Sequence, residues 1–463
     1  MLFNSTNYLL FLPLVLVLYH LIPKAYRWIM LLAASYYFYM SWKPFFAIFM
    51  FISTAVDYWS AIKMDQTLDR QVRKLYMAAS VVANLGLLFF FKYLNFFTYN
   101  IEFLFSKVHV YYDSPVLDII LPLGISFYTF QSLSYTFDVY KGKDKAEYHF
   151  GYFALYVSFF PQLVAGPIER AGNLIPQLRL QPPATKDDVH YAINKILLGY
   201  FKKVVVADNI APYVDQLYNN VPSASGLQYA IAAVLFTVQL YCDFSGYTDI
   251  ALGSARLMGV RLMDNFNRPF NSTSLSEAWS KWHISLTSWI GDYVFKPWIR
   301  KAPDHASLIT IATFLIFGFW HGPTWNFILF GLFHGVAMVM QRKYLRYKPL
   351  KAFNKSAPMR PVWITWNFIL LTFSCIFFRN SATDAITVIQ HIATDFRLSM
   401  ADLRSGYFAE MAFGLFFAAL AWATTLFPRS LRFRYDKLYI VGMLLVIFIF
   451  GSDSRNQFIY FQF

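Results

Sequence analysis

Charge is scarce in this sequence of 463 residues. Asp, Glu, Lys and Arg together make up 14% of it, whereas soluble domains carry about 25%. In their place the chain has 57% hydrophobic residues, including 50 Phe, 32 Tyr and 12 Trp. Aromatic rings with a polar tip are favoured where lipid meets water. The composition excludes an ordinary soluble protein and predicts an all-α integral membrane protein of many spans.

Cysteine is almost absent as well. Cys242 and Cys375 are the only two, and neither has a CxxC partner, which excludes a disulfide framework and a zinc site of the usual spacing. HExxH, GxSxG and P-loop motifs are also lacking, so metal chemistry, a serine-hydrolase triad and ATP use have no support, and no cofactor is predicted. The first apolar run, Tyr8 to Ile22, has no cleavage site after it and is expected to be a retained span.

Basic residues exceed acidic ones by 40 − 26 = 14, yet no motif for nucleic-acid binding accompanies them. They lie in short loops between apolar runs, as the positive-inside rule describes for cytoplasmic loops. We therefore expect residue 1 outside and four basic clusters in the cytoplasm. These clusters are Lys24 with Arg27, the loop 63–74, the stretch 342–360 and the stretch 429–437. The less basic segments 98–116 and 379–404 fit the external face.

Twelve apolar runs are candidate spans. They are 7–23, 26–42, 45–62, 75–97, 150–166, 227–241, 244–262, 307–320, 324–341, 362–378, 408–427 and 438–451. A helix needs roughly 20 apolar residues to cross the hydrocarbon core, and on this basis we predict about 10–13 transmembrane helices. Where a run is short or broken, neighbouring protein must satisfy the free backbone groups.

Two more segments are expected to lie at the membrane without crossing it. Residues 116–135 are apolar but are interrupted by Pro122 and Gly124, which indicates a re-entrant segment packed against protein. Residues 184–203 carry an apolar stripe and three lysines. We predict an amphipathic helix along the cytoplasmic leaflet, with Lys195, Lys202 and Lys203 near the lipid headgroups.

Polar residues in apolar surroundings are costly, and in a membrane protein they mark function. The segment 276–293 is one region where polar residues lie among apolar ones. On a single helix, Trp282, Ser285, Leu286, Trp289 and Tyr293 would share one face, with His283 beside it. The alternative is an interfacial helix anchored by tryptophans, with His283 exposed.

A second polar place interrupts the apolar run from Leu308 to Met340. As one helix this run would be roughly 50 Å long, well beyond a bilayer core. Gly322 and Pro323 are therefore expected to break it, with His321 at the break. An imidazole there can take a proton from a hydroxyl, because its pKa is near the working range. The alternative is a histidine bonded to a carbonyl at a structural kink.

Three other polar groups invite less specific predictions. His334 lies thirteen residues after His321, which on a continuous helix would place the two rings on different faces, so packing is as good an explanation as chemistry. Asp243 and Asp249 are about 120° apart on a helix. A paired acid–base dyad is therefore doubtful, and we expect these carboxylates to brace helices or to pair with Arg256 or Arg268.

Several separated motifs together resemble the membrane-bound O-acyltransferases, and more narrowly the bacterial branch that serves alginate and peptidoglycan O-acetylation. They are, in chain order, PLGISFYTFQSLSYTFDVYKG, FFPQLVAGPIERAGNLIPQL, DFSGYTDIALGSARLMG, NFNRPF, WHISLTSWIGDYV, GFWHGPTWNFILFGLFHG and NQFIYFQF. The resemblance covers essentially the full chain. One departure is Gly291, where many relatives carry Arg.

The resemblance implies a ring of tilted helices around a central tunnel, which acetyl-CoA reaches from the cytoplasm. The essential histidine of the family falls on His321, which we predict to be the catalytic base. The second signature position falls on His283, which we predict to take part in catalysis by positioning the donor or stabilising the oxyanion. We predict that the donor or the tunnel contacts Trp282, Ser285, Asp292, Trp320, Trp325 and Asn326. With no linker or repeat present, residues 1–463 are predicted to form one membrane domain, with N-terminal helices at 1–110, the catalytic core at 115–345 and C-terminal helices at 346–463.

The function expected from these features is acetyl transfer from cytoplasmic acetyl-CoA across a bacterial inner membrane to an extracytoplasmic polysaccharide. The resemblance implies a periplasmic partner of the SGNH-hydrolase type that modifies the polymer. Three alternatives stay open. One is D-alanyl transfer to teichoic acid, one is a lipid or protein acylator of eukaryotic type, and one is a proton-coupled transporter. The last would be expected to show paired similar halves, which the sequence lacks.

Overall fold

The computed structural model describes residues 1–112, 117–221, 224–346, 356–397, 407–426, 436–452 and 458–459. Within these ranges all regular elements are helical, as predicted. Parts of the basic stretches 342–360 and 429–437 and most of the motif NQFIYFQF lie outside the described residues. By contacts the chain divides into two compact units, Met1–Ile193 with Ala251–Met263 and Asn194–Ile250 with Asp264–Phe463.

The first unit is built from short and medium helices. They are Thr6–Leu21, Lys24–Met40, Ala47–Asp65, Arg70–Leu88, Leu94–Lys107, Ile125–Tyr140, Phe150–Ser158, Phe160–Leu163 and Ala171–Leu180, with the start of Lys186–Tyr200. Local signals set several of the helix starts. The Ser5 hydroxyl accepts the Tyr8 amide and the Asp69 carboxylate accepts the Gln71 amide, which satisfies backbone donors that a helix leaves free at its N-terminus.

Gly124 precedes the helix Ile125–Tyr140 with a positive φ of 73°. A side chain there would be strained, and an added Cβ would lie 2.7 Å from the Leu163 carbonyl oxygen. The helix is almost wholly buried. The structure therefore agrees with the prediction that Pro122 and Gly124 interrupt a segment packed against protein.

The same unit contains a buried polar cluster around Asp57, which is fully buried. Its Oδ1 accepts a hydrogen bond from the Ser80 hydroxyl (2.6 Å) and one from the Asn84 amide (2.7 Å). Ser80 also bonds the Thr136 hydroxyl at 2.9 Å. Since Asp57 lies within an apolar helix, these hydroxyl and amide groups take the place that water has elsewhere.

The second unit carries the longer helices. They are Asp208–Tyr218, Gly226–Leu257 (whose residues up to Ile250 belong to this unit), Leu275–Lys281, Ile284–Ile290, Lys296–Lys301, Ala306–His321, Trp325–Arg346, Met359–Arg379, Ala382–Thr394, Tyr407–Leu426 and Asp436–Phe450. The π-helical segments Phe201–Ala207 and Gly291–Phe295 join neighbouring helices. Such π segments occur often at functional sites.

Four helical stretches of the described chain are long and apolar enough to cross a bilayer: Pro44–Asp65, Arg70–Lys107, Gly226–Leu257 and Met359–Arg379. A fifth would be the pair Ile284–Lys301 and Pro303–His321, which is bent by 118°. The protein is thus a multi-span helical membrane protein. Length and composition alone do not reach the predicted 10–13 spans. One candidate, 150–166, is wrong, because its first helix ends at Ser158 after nine residues.

The predicted separate spans 227–241 and 244–262 are also wrong, since Gly226–Leu257 is one helix of 32 residues. The two predicted spans leave a gap at residues 242–243, where Asp243 lies. Asp243 forms an ion pair with Lys203 (2.7 Å), and its other oxygen accepts the Ile459 amide (2.7 Å). A carboxylate that is paired and hydrogen-bonded can stay buried, so the helix continues through it.

The lysines predicted near the headgroups are buried or half-buried instead. Lys195 and Lys202 both bind Asp249, at 2.6 and 2.7 Å, and Lys203 also binds Asp208, at 2.9 Å. Of the two expectations for Asp243 and Asp249, pairing with Arg256 or Arg268 is wrong, whereas these contacts with neighbouring segments agree with the bracing of helices. Burial alone would lower the pKa of Lys202, but the Asp249 carboxylate raises it above its ordinary value. Three lysines and three aspartates thus form two ion-pair groups that meet in the chain at Lys202 and Lys203. Together they are called the lysine–aspartate cluster below.

Candidate functional site

His321 lies at the end of a helix, as predicted. Helix Ala306–His321 stops because Gly322 is extended (φ −168°, ψ 150°) and Pro323 has no amide hydrogen to donate. The next helix, Trp325–Arg346, then begins. The break leaves His321 on the last turn, where only 4% of its surface is exposed.

The two helices on either side of the break pack against each other in antiparallel fashion. A Cβ on Gly318 would lie 2.2 Å from the Phe327 carbonyl oxygen, and one on Gly331 would lie 2.3 Å from that of Phe314. Real side chains do not come so close, so glycine is required at both positions. This close crossing fixes where His321 is held relative to the second helix.

Aromatic rings surround His321. The centroid of its imidazole is 5.0 Å from that of Phe378, 5.1 Å from that of Trp320, 5.2 Å from that of Phe317 and 5.9 Å from that of Phe330. All four contacts are edge-to-face, an arrangement that aromatic pairs favour. The ring is therefore held by packing from several directions.

A small cavity of about 30 Å³ lies beside His321. Its twelve lining residues are Thr237, Leu240, Phe270, Trp279, Trp282, His321, Phe330, His334, Leu371, Ser374, Cys375 and Phe378. A buried water needs about 10–15 Å³ of such room. The cavity therefore suits groups of the size of a water molecule or an acetyl carbonyl, and a titratable imidazole faces it.

His334 lines the same cavity as His321. The prediction that the two rings lie on different faces assumed one continuous helix, and the break at Gly322 removes that assumption. His334 is 1% exposed, and its Nδ1 accepts a hydrogen bond from the Trp279 indole N–H at 3.3 Å. Phe330 lies between the two imidazoles, at 5.9 Å from His321 and 4.7 Å from His334. Sequence reasoning missed this pairing.

The predicted helix through 276–293 is wrong, because it breaks at Trp282 and His283. Trp282 is extended (φ −108°, ψ 127°), and His283 has a positive φ of 44°. Helix Leu275–Lys281 ends before this break and helix Ile284–Ile290 starts after it. The single aromatic face expected from 282 to 293 is therefore absent. Trp282 lines the cavity, whereas Ser285 is buried at the start of the second helix.

His283 is fully buried, so the exposed alternative is excluded. Its ring lies 4.7 Å from Phe244 and 5.8 Å from Trp320. Trp320 in turn is 5.1 Å from His321. His283 is not among the described lining residues of the cavity, and the structure connects it to His321 through Trp320.

The other predicted site residues are dispersed. Asp292 pairs with Lys296 at 2.6 Å on an exposed turn, and Trp325 is 57% exposed. Asn326 donates to the Phe377 carbonyl at 2.9 Å, which fixes the start of the second helix. None of these three is among the described lining residues of the cavity. Their predicted contact with donor or tunnel stays a prediction.

A larger cavity of about 210 Å³ adjoins the first, and Trp279 lines both. Its hydroxyl-bearing lining residues are Ser276, Ser280, Thr287, Thr310 and Thr313, and Arg342 contributes a positive charge. Within the described part of the chain, no group of three or more His, Cys, Asp and Glu could hold a metal ion. The polar groups that line these two cavities are imidazoles, hydroxyls, the Cys375 thiol, the indole N–H groups of Trp279 and Trp282, and one guanidinium.

The chain is similar in sequence to several known proteins. The family model described as the membrane-bound O-acyltransferase family matches residues 45–382. The chain is 35% identical to the probable alginate O-acetylase AlgI of Azotobacter vinelandii, over 83% of this chain and 76% of that protein. It is 34% identical to the peptidoglycan O-acetyltransferase of Helicobacter pylori, over 78% and 71%. A teichoic acid D-alanyltransferase of Bacillus subtilis is 28% identical over 57% of this chain and 69% of that protein.

Proposed function

Because the chain belongs to the membrane-bound O-acyltransferase family, we propose that it moves acetyl groups from cytoplasmic acetyl-CoA to an extracytoplasmic polysaccharide. The acetyl group and the polymer class follow the two relatives that match most of this chain, a probable alginate O-acetylase and a peptidoglycan O-acetyltransferase. The D-alanyl alternative has weaker support, since that relative matches little more than half of the chain.

The observation that carries the proposal is His321, buried at a broken helix and facing a cavity of about 30 Å³. A thioester is hydrolysed if water reaches it freely, so a closed site protects the donor. The tight ring packing around His321 restricts water while leaving room for a carbonyl. The size of this cavity also favours a short acyl group over a long one.

His321 acts as the general base in this scheme. Its imidazole takes the proton from an acceptor hydroxyl as the oxygen attacks the acetyl carbonyl of acetyl-CoA. A tetrahedral intermediate forms, with negative charge on the former carbonyl oxygen. When the intermediate collapses, the C–S bond breaks, and the imidazolium returns the proton to the leaving thiolate. The acceptor leaves as an acetyl ester and CoA as a free thiol.

His283 fits a positioning role, since its described ring contacts are Phe244 and Trp320 and the second of these packs against His321. In the bacterial cytoplasmic membrane, the donor and the polymer are on opposite sides. We therefore propose that a periplasmic partner of the SGNH-hydrolase type receives the acetyl group and modifies the polymer.

The test uses a strain from which the gene for this protein is deleted and to which genes for the variants are supplied. We expect His321→Ala to lower acetyl ester in the polymer by about 10²–10⁴-fold, the usual contribution of a general base, while the protein remains folded in the membrane. Inside-out vesicles supplied with radiolabelled acetyl-CoA report the same loss as alkali-labile label.

His305→Ala is the matched control, since His305 is exposed at the other end of the same helix. This variant is expected to acetylate as the wild type does. Normal polymer acetylation by His321→Ala would overturn the assignment of the base. Label taken from D-alanine in place of acetyl-CoA would favour the teichoic acid alternative.

A further inference from the structure

The cavity beside His321 contains a second imidazole with a defined hydrogen bond. His334 is 1% exposed, and its Nδ1 lies 3.3 Å from the indole nitrogen of Trp279. An indole nitrogen is a donor only. His334 Nδ1 is therefore the acceptor in this bond, and it carries no proton.

This bond determines which tautomer His334 adopts. A neutral imidazole carries one proton, so with Nδ1 accepting, the proton is on Nε2. The rings around His334 are those of Trp279, Phe314, Phe330 and Phe333, which give a cation no stabilising carboxylate. Among the described residues, Nε2 has no hydrogen-bond partner. The ring thus presents a neutral N–H donor next to the proposed base.

Five side chains form a closed circuit of ring contacts around this place. His321 contacts Phe330, Phe330 contacts His334, His334 contacts Trp279, Trp279 contacts Phe317, and Phe317 contacts His321. The circuit fixes both imidazoles relative to each other through packed rings. A donor held in advance is what stabilisation of a developing charge requires.

Building on the function proposed above, we infer that His334 donates its Nε2–H to the carbonyl oxygen of the acetyl group, with Trp279 as the positioning residue. When the acceptor oxygen attacks and His321 takes its proton, the carbonyl π electrons move to this oxygen, which becomes an oxyanion. Nε2–H bonds to it more strongly than to the neutral carbonyl. Collapse restores the C=O bond and breaks the C–S bond, and the His334 proton stays on Nε2 throughout.

His334 fits this role better than His283 does. His334 is a lining residue of the cavity, whereas His283 is not among the described lining residues, and its described ring contacts are with Phe244 and Trp320. The oxyanion donor has to touch the reacting oxygen, and a positioning residue does not.

The experiment measures acetyl-CoA-dependent transfer by the full chain in inside-out vesicles. His334→Phe keeps a ring but removes the donor, and we expect kcat to fall by about 10²–10³-fold, as when one oxyanion donor is removed, with KM for acetyl-CoA little changed. His334→Gln restores an N–H at similar reach and is expected to recover part of kcat. Trp279→Phe keeps a ring and frees Nδ1, so an intermediate loss in kcat is expected.

Phe333→Leu is the packing control, because Phe333 contacts the His334 ring at 5.4 Å and is not among the described residues that line the cavity. It is expected to leave kcat near the wild-type value. Wild-type kcat in His334→Phe overturns the inference. Equal loss in His334→Gln and His334→Phe, with both proteins folded, also overturns it, since packing would then explain the loss.

The activity of the wild-type protein with acetyl-CoA shows which of the two proposals has failed. If wild-type vesicles transfer no label from acetyl-CoA, the proposed donor is wrong, and the same four variants are compared with the acyl donor that does work. If the wild type is active and His334→Phe is equally active, the role of His334 alone is wrong.

Discussion

The lysine–aspartate cluster allows a quantitative test of what holds the second unit together. Asp249 accepts from Lys195 and Lys202, and the side chains of Asp249 and Lys202 are only 7% and 9% exposed. Asp249→Asn keeps the volume but removes the negative charge. Breaking a buried pair from one side costs about 3–5 kcal/mol, because the remaining charge is left uncompensated. Lys195 adds little, since it is 23% exposed and water screens it.

The assay is thermal unfolding of the detergent-solubilised protein. A cooperative unit of 150–250 residues loses about 2–4 °C in Tm per kcal/mol, so a cost of about 3–5 kcal/mol predicts a fall of at least about 6 °C for Asp249→Asn. Adding Lys202→Met removes the stranded ammonium group and is expected to recover much of that fall.

Asp292→Asn is the matched control. Its pair with Lys296 is 2.6 Å apart, close to the 2.7 Å of Asp249 and Lys202, but the side chains are 44% and 59% exposed. Such a pair contributes about 0–1 kcal/mol, so we expect little change in Tm. The reasoning is refuted if Asp249→Asn unfolds at the wild-type temperature, or if the double variant is less stable than Asp249→Asn alone.

Two further pairs of variants test close helix packing and buried hydrogen bonding. Gly331→Ala places a Cβ 2.3 Å from the Phe314 carbonyl oxygen and is expected to cost about 1–3 kcal/mol by overpacking and to lower acetyl transfer, whereas Gly86→Ala meets nothing within 4 Å and should unfold as the wild type does. Asp57→Ala removes the acceptor of two buried donors and is expected to cost about 1–3 kcal/mol, whereas Asp57→Asn keeps an acceptor oxygen and should be tolerated. Equal melting temperatures for Gly331→Ala and Gly86→Ala, or for Asp57→Ala and Asp57→Asn, would contradict these assignments.

Local chemistry made part of the fold predictable. Glycine readily leaves the helical conformation and proline has no amide hydrogen to donate. Gly322 and Pro323 therefore end a helix whatever their distant neighbours are, and the position of His321 at a helix end could be predicted from the sequence. Pro122 and Gly124 gave a similar signal for the helix that starts at Ile125. Membrane class and family also followed, because composition and several ordered motifs agree.

Most of the wrong predictions concern places where contacts between residues far apart in the sequence determine the local structure. No glycine or proline marks the break at Trp282 and His283, where a histidine adopts a positive φ. The predicted gap at residues 242–243 is a continuous helix, and Lys203, which pairs with Asp243 there, is forty residues away in the chain. Residues thirteen positions apart lie on different faces of one continuous helix, but His321 and His334 lie on two helices that pack against each other, so the prediction that their rings are apart was wrong. The lysines were placed near headgroups because their partners could not be known from spacing.

The rings that line the His321 cavity and the helix crossing that holds His321 differ in how freely they can change over evolution. Rings such as Phe330 and Phe378 are side chains, and exchanging one for a smaller residue enlarges the space without moving a helix axis. The crossing at Gly318 and Gly331 is backbone against backbone and tolerates no such exchange. Related enzymes could therefore diverge in acyl-group size through the rings while inheriting the same placement of the base.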